Sequence, residues 1–102
     1  MSKLIPTSML EAIPNLYETE YVKDPVCHIK FFLPDSNWTW YIIELSQSDK
    51  TTCFGYVIGH EAELGYFNLS EIKEIKGRLG LAVECDISFI PVCLSEVKKG
   101  AK

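Results

Sequence analysis

Apolar and polar positions alternate with period two through most of the middle of the chain. From Val26 to Leu33, Cys27, Ile29, Phe31 and Leu33 alternate with His28 and Lys30, the pattern of a strand with one face toward a core and one toward water. The alternation places His28 outward. Pro34-Asp35-Ser36-Asn37 then has turn chemistry at every position, because proline cannot donate to a central ladder and Asp, Ser and Asn side chains bond nearby backbone amides. Trp38 to Leu45 is predicted as a second strand, with Trp38, Trp40, Ile42 and Glu44 on one face and Thr39, Tyr41, Ile43 and Leu45 on the other. Both faces are largely apolar, as in a central strand covered on two sides, and Glu44 is the odd member of its face.

After the polar connection Ser46 to Thr51, a third strand is predicted over Thr52 to Ile58, where Phe54, Tyr56 and Ile58 oppose Cys53 and Val57. Gly59-His60-Glu61 is short and glycine-containing, as hairpin loops are. A fourth strand, Ala62 to Phe67, sets Ala62, Leu64 and Tyr66 against Glu63, Gly65 and Phe67, with Gly65 read as a bulge or a close backbone approach. In a last strand Val83, Cys85, Ile87 and Phe89 alternate with Glu84, Asp86 and Ser88 before Pro91.

Helical signals are short. Thr7 or Ser8 caps a short helix, with Glu11 completing the Ser-x-x-Glu pattern of a capping box; it carries Met9, Leu10 and Ile13 and is ended by Pro14. Asn15 to Pro25 follows neither period and reads as an ordered surface loop. Ser70 is read as the cap of a helix through Lys76, with Leu69, Ile72 and Ile75 inward and Gly77 as its stop. Leu94 to Lys98 is read as a helical turn. The predicted fold is α+β: one domain over residues 1–98, a meander sheet of about five antiparallel strands with the short helices packed on one face, and a frayed tail over 99–102.

Composition changes this picture little. The chain has 102 residues, 47% hydrophobic and 24% charged, a globular balance sufficient for one core. Ten Lys and Arg against fourteen Asp and Glu leave a net charge of -4, which argues against nucleic acid as a partner, since phosphate neutralisation needs a cationic surplus. Met1 to Pro6 does not read as a signal peptide, and no window has the apolar length of a membrane span. A cytoplasmic protein is expected, with Cys27, Cys53, Cys85 and Cys93 as reduced thiols.

Candidate chemistry is sparse. The cysteines lie 26, 32 and 8 residues apart, without the close pairs that bring zinc ligands together, so they are read as small buried hydrophobes and no metal is assigned. His60-Glu61-x-Glu63 is the one cluster of hard ligands or acid/base groups. It lacks a second histidine and falls in a hairpin, where a solvated loop explains it. Adjacent Cys27 and His28 would point to opposite faces of a strand and form no dyad. No catalytic residue and no cofactor is assigned. Trp38 and Trp40, with the turn groups Asp35 and Asn37, form either part of the core or a rigid contact surface. On the second alternative a binding surface runs over Asp35, Asn37, Trp38, Trp40, Glu44, His60, Glu61, Glu63 and Tyr66, and its partner is a protein or small ligand. Two rivals are a small metal-dependent hydrolase built on Glu44, His60, Glu61 and Glu63, and a protein that occupies a nucleic-acid site with carboxylates.

Lys30-Phe31-Phe32, Pro34 to Tyr41, Glu44, Phe54-Gly55 with Val57 and Gly59, Glu63 to Phe67, Leu69-Ser70-Glu71 and Gly80-Leu81 together resemble the signature of a bacterial family, domain of unknown function 2958. The resemblance runs from the first helix to Leu94-Ser95-Glu96. It implies an accessory role on plasmids, phages or integrated elements, in transfer, maintenance or counter-defence, and brings no catalytic residues. At Glu84-Cys85-Asp86 the chain departs from the family's Glu-Arg-Asp and so lacks a cation at position 85.

Overall fold

The computed structural model describes residue 10 and residues 12–100. In chain order the elements are β1 (Val26–Cys27), β2 (Ile29–Phe32), β3 (Thr39–Leu45), β4 (Thr52–Ile58), β5 (Ala62–Asn68), α1 (Leu69–Ile72), β6 (Glu84–Cys85), β7 (Val92–Cys93) and α2 (Leu94–Lys98). Five strands form an antiparallel sheet in the order β5-β4-β3-β2-β6, and β1 pairs with β7 in a small ribbon. The α+β fold and the meander β2-β3-β4-β5 are as the alternation predicts. The capping box of Ser8 and Glu11 lies outside the described residues, as do the last two residues of the tail expected to fray.

Strand β3 organises the rest because it is buried on both sides. Trp40 and Ile42 join Ile29, Phe31, Leu33, Cys53, Leu69, Ile72 and Val83 in one apolar cluster. Tyr41 and Ile43 join Cys27, Tyr56, Phe89, Leu94 and Val97 in a second cluster on the opposite face. A sheet whose central strand is apolar on both faces needs two covers. The two helices therefore do not share a face: α1 closes the first cluster through Leu69 and Ile72, and α2 closes the second through Leu94 and Val97.

Two predicted strands are interrupted so that the chain can change faces. The strand read over Val26 to Leu33 breaks at His28, whose N–H donates to the Ile42 carbonyl at 2.8 Å, and Cys27 turns to the second cluster while Ile29, Phe31 and Leu33 stay with the first. The strand read over Val83 to Phe89 shortens to β6. A turn closed by the Phe89 N–H on the Asp86 carbonyl at 3.1 Å carries the chain to the other face, which leaves Ile87 78% exposed and buries Phe89.

The cap of α1 is Asn68, not Ser70. β5 runs through Asn68, whose extended backbone (φ -120, ψ 129) suits an N-cap, and its side chain accepts the Ser70 N–H. The helix stops at Ile72, short of Gly77. Helix α2 is capped from far away: the Asp24 carboxylate accepts both the N–H (2.8 Å) and the hydroxyl (2.7 Å) of Ser95.

Candidate functional site

One irregularity in the sheet builds the most distinctive surface. Pairing of β3 with β4 runs regularly from Thr39↔Ile58 to Ile42↔Gly55, then shifts so that Glu44 opposes Phe54. Ile43 is the extra residue of a β-bulge. Past it the alternation changes phase: Leu45 joins the cluster of Trp40 and Ile42, and Glu44 turns to the face of Phe54. The expected grouping of Glu44 with Trp38, Trp40 and Ile42 is thus overturned by one inserted residue. Gly65, read as a bulge or a close backbone approach, instead sits in regular register opposite Gly55, with nothing within 4 Å of a Cβ built there.

Glu44 is only 3% exposed, and a carboxylate buried that deeply needs donors. They come from the loop that precedes β1. Oε1 accepts the Tyr17 N–H at 2.8 Å, and Oε2 accepts the Thr19 N–H at 2.9 Å together with the Thr19 hydroxyl. The loop is held with Tyr17 at φ 71, a left-handed conformation that a bulky residue rarely adopts without such restraint. Asn15 secures the start of the loop, its side-chain oxygen accepting the N–H groups of Leu16 (2.8 Å) and Gln47 (3.0 Å).

So held, Tyr17 lies beside Tyr66 with ring centroids 6.4 Å apart, and Tyr66 lies 5.2 Å from Phe54. The three rings form a row along one wall of a hollow of about 320 Å3, which Leu64, Lys23 and Lys98 help to line. Its rim is open: Tyr17 is 62%, Tyr66 57% and Leu64 43% exposed. Partial desolvation first, then the Tyr17 hydroxyl and the carboxylates of Glu44 and Glu20, raise the Tyr66 phenol above its ordinary pKa of 10.0. Lys98 Nζ stands 5.7 Å from the centroid of the Tyr56 ring, a cation over an aromatic face.

The residues expected to make one surface are divided. Glu44 and Tyr66 belong to the hollow. Trp38, Trp40 and Glu63 lie on the opposite face of the sheet, following the register Trp40↔Val57↔Glu63. Trp40 is buried in the first cluster, and Trp38 is half-buried against it, stacked on Trp40 at 5.8 Å and meeting His60 edge-on at 5.6 Å. The Trp38 indole covers Gly59 so closely that a Cβ there would come within 2.3 Å of ring carbons. Both indoles therefore contribute to packing. Asp35 is also structural: Oδ2 accepts the Leu79 N–H at 2.7 Å, and a Cβ on Gly77 would fall 1.5 Å from Oδ1. Asn37, His60, Glu61 and Glu63 are exposed.

The two buried cysteines are not poised as nucleophiles. Cys27 and Cys53 are completely buried, and desolvation pushes both thiols up to about 12, far from the thiolate form a nucleophile requires. Among the described residues no three His, Cys, Asp or Glu side chains are grouped as ion ligands. Tyr17, Phe54, Leu64 and Lys98 escaped the reading of the sequence, since each is unremarkable until the bulge and the loop bring them together. The signal available was Glu44 itself, an acid within an apolar strand.

No helix among the described residues is long and apolar enough to cross a membrane. No curated protein and no solved structure matches the chain. A family model does: that of the Protein of unknown function (DUF2958) matches residues 4–101, taking in the bulge, the Glu44-anchored loop and both walls of the hollow. The chain belongs to the DUF2958 family.

Proposed function

We propose that this protein is a non-enzymatic interaction module whose contact surface is the hollow beside Tyr17 and Tyr66, binding a protein partner or small ligand there. The observation that carries this reading is the strained Tyr17. Three hydrogen bonds to a buried carboxylate hold a loop whose aromatic ring stays 62% exposed. An ordering cost met for an exposed ring is the economy of a recognition surface, because aromatic side chains held in place lose little entropy on binding. The volume of about 320 Å3 sits at the lower end of ligand-binding pockets, roughly 300–1,000 Å3. An accessory role on a bacterial mobile element is the setting that the family resemblance implies, and the cytoplasm is the compartment that goes with this reading.

The two rival readings have less support. Glu44 is buried and committed to the loop on the face away from Glu63, so a metal centre on Glu44, His60, Glu61 and Glu63 lacks convergence. A carboxylate surface that mimics nucleic acid needs free acids, yet Glu18, Asp24, Asp35, Glu44, Asp49 and Asp86 all accept hydrogen bonds from backbone amides of this chain.

The test is recovery of tagged full-length protein from its host under mild salt, with the wild type beside a groove variant (Tyr17→Ala with Lys98→Glu) and a hairpin variant (His60→Ala with Glu63→Gln). A partner or bound small molecule retained by the hairpin variant and lost at least tenfold by the folded groove variant supports the reading. Loss in the hairpin variant alone moves the site to the other face.

A further inference from the structure

The outer edge of β5 lacks the usual defences of an edge strand. Natural edges are blunted by proline, lysine, bulges or short length. Ala62–Asn68 contains no proline, lysine or arginine, runs for seven residues, and keeps unbroken register with β4 along its whole length. It also exposes Leu64 and Tyr66. Its far side carries no strand among the described residues, because β5 is terminal in the sheet order.

We propose that two copies of this chain pair antiparallel through β5, about a two-fold axis at Gly65, making one continuous sheet. The strand is centred on that residue, so this register pairs all seven positions: Ala62 with Asn68, Glu63 with Phe67, Leu64 with Tyr66, and Gly65 with its own copy. Every pair joins residues of like parity, so the amides and carbonyls that β4 leaves free on one copy meet those left free on the other. Leu64 and Tyr66 of each copy become aliphatic–aromatic cross-strand neighbours, twice over by symmetry. The one charge on the strand is kept from its likeness: each Glu63 faces a Phe67, and the two Glu63 stand four positions apart, roughly 13 Å along the strand, beyond the screening length of about 8 Å at physiological salt. At the axis Gly65 carries no side chain, and a Cβ built there meets nothing within 4 Å, so the sheet face is uncrowded where the two strands cross. The interface is isologous and closed, as self-complementary two-fold contacts are. It goes beyond the groove reading and does not depend on it.

Sedimentation equilibrium of the full chain, from low micromolar to millimolar concentration, should give twice the chain mass at the upper end. The register is tested by oxidation in a Cys85→Ser, Cys93→Ser background. Directly opposed Cα atoms of an antiparallel pair lie about 4.5–5.5 Å apart, within the span a disulfide bridges. Gly65→Cys should therefore yield a covalent dimer, at least tenfold faster than Glu63→Cys. A monomeric mass at every concentration overturns the proposal, as does equal cross-linking by the two variants. Far-UV circular dichroism of each variant verifies that the sheet is intact.

Discussion

Glu44 shows how one side chain acts through what it holds. Its three donors are part-buried on the carboxylate, so replacing it with an apolar group of similar size leaves part-buried donors unpaired. An unsatisfied buried group costs about 1–3 kcal/mol. Glu44→Leu is expected to lower stability by about 3 kcal/mol in urea denaturation and to release Tyr17 from Tyr66, whereas Asp35→Asn, which keeps an acceptor for Leu79, should cost under about 1 kcal/mol. An unchanged midpoint for Glu44→Leu would mean that water replaces the loop donors. The acidic residue was legible in the sequence; its orientation was not. Strict alternation assigns Glu44 to the tryptophan face, and only the extra residue Ile43, which looks like any other strand residue, reverses it.

At the scale of elements, the strands of the meander were readable because Phe54, Tyr56 and Ile58, and Ala62, Leu64 and Tyr66, keep strict period two. In the C-terminal third, Leu94 to Lys98 was readable as a helical turn, but the alternation over Val83 to Phe89 misleads, because a turn at Asp86 cuts that strand to Glu84–Cys85. The contact between Asp24 and Ser95, 71 residues apart in sequence, leaves no local trace at all. It does leave one in acid. The Ser95 hydroxyl, then its backbone N–H, lower the Asp24 carboxyl below its ordinary 3.8. A carboxyl whose folded pKa is depressed stabilises above its unfolded pKa, and that stabilisation is lost as pH falls through the folded value. Asp49, lowered by the Thr52 and Thr51 N–H groups, adds the same sign at the β3–β4 connection. The protection of the α2 amides against hydrogen exchange, that is, their slowing relative to the intrinsic rate at each pH, should thus fall below about pH 4 in the wild type. In Asp24→Ala it should be low at neutral pH already, with less further change in acid. Acid-independent protection in the wild type would assign the anchoring of α2 to Leu94 and Val97 alone.

The described residues form two apolar clusters, and β3 and β4 contribute to both. Cys53 lies in one and Cys27 in the other, so thiol labelling reports on each face separately. Because β3 cannot leave one cluster and stay in the other, the two faces should open together. Cys85 and Cys93, both half-buried, should react first with a thiol reagent. Cys27 and Cys53 should follow at a common slower rate that rises in parallel with denaturant. Two different denaturant dependences would mean that the covers detach independently.

The double covering of the sheet also decides where anything else can touch it. With α1 on one side and α2 on the other, the middle of the sheet is sealed on both faces, and what a neighbour meets lies at the margin: the β5 strand with Leu64 and Tyr66, the 59–61 hairpin and the mouth of the hollow. Like a coin gripped at its centre, the molecule keeps the middle of both sides for its own stability and leaves its margin for company.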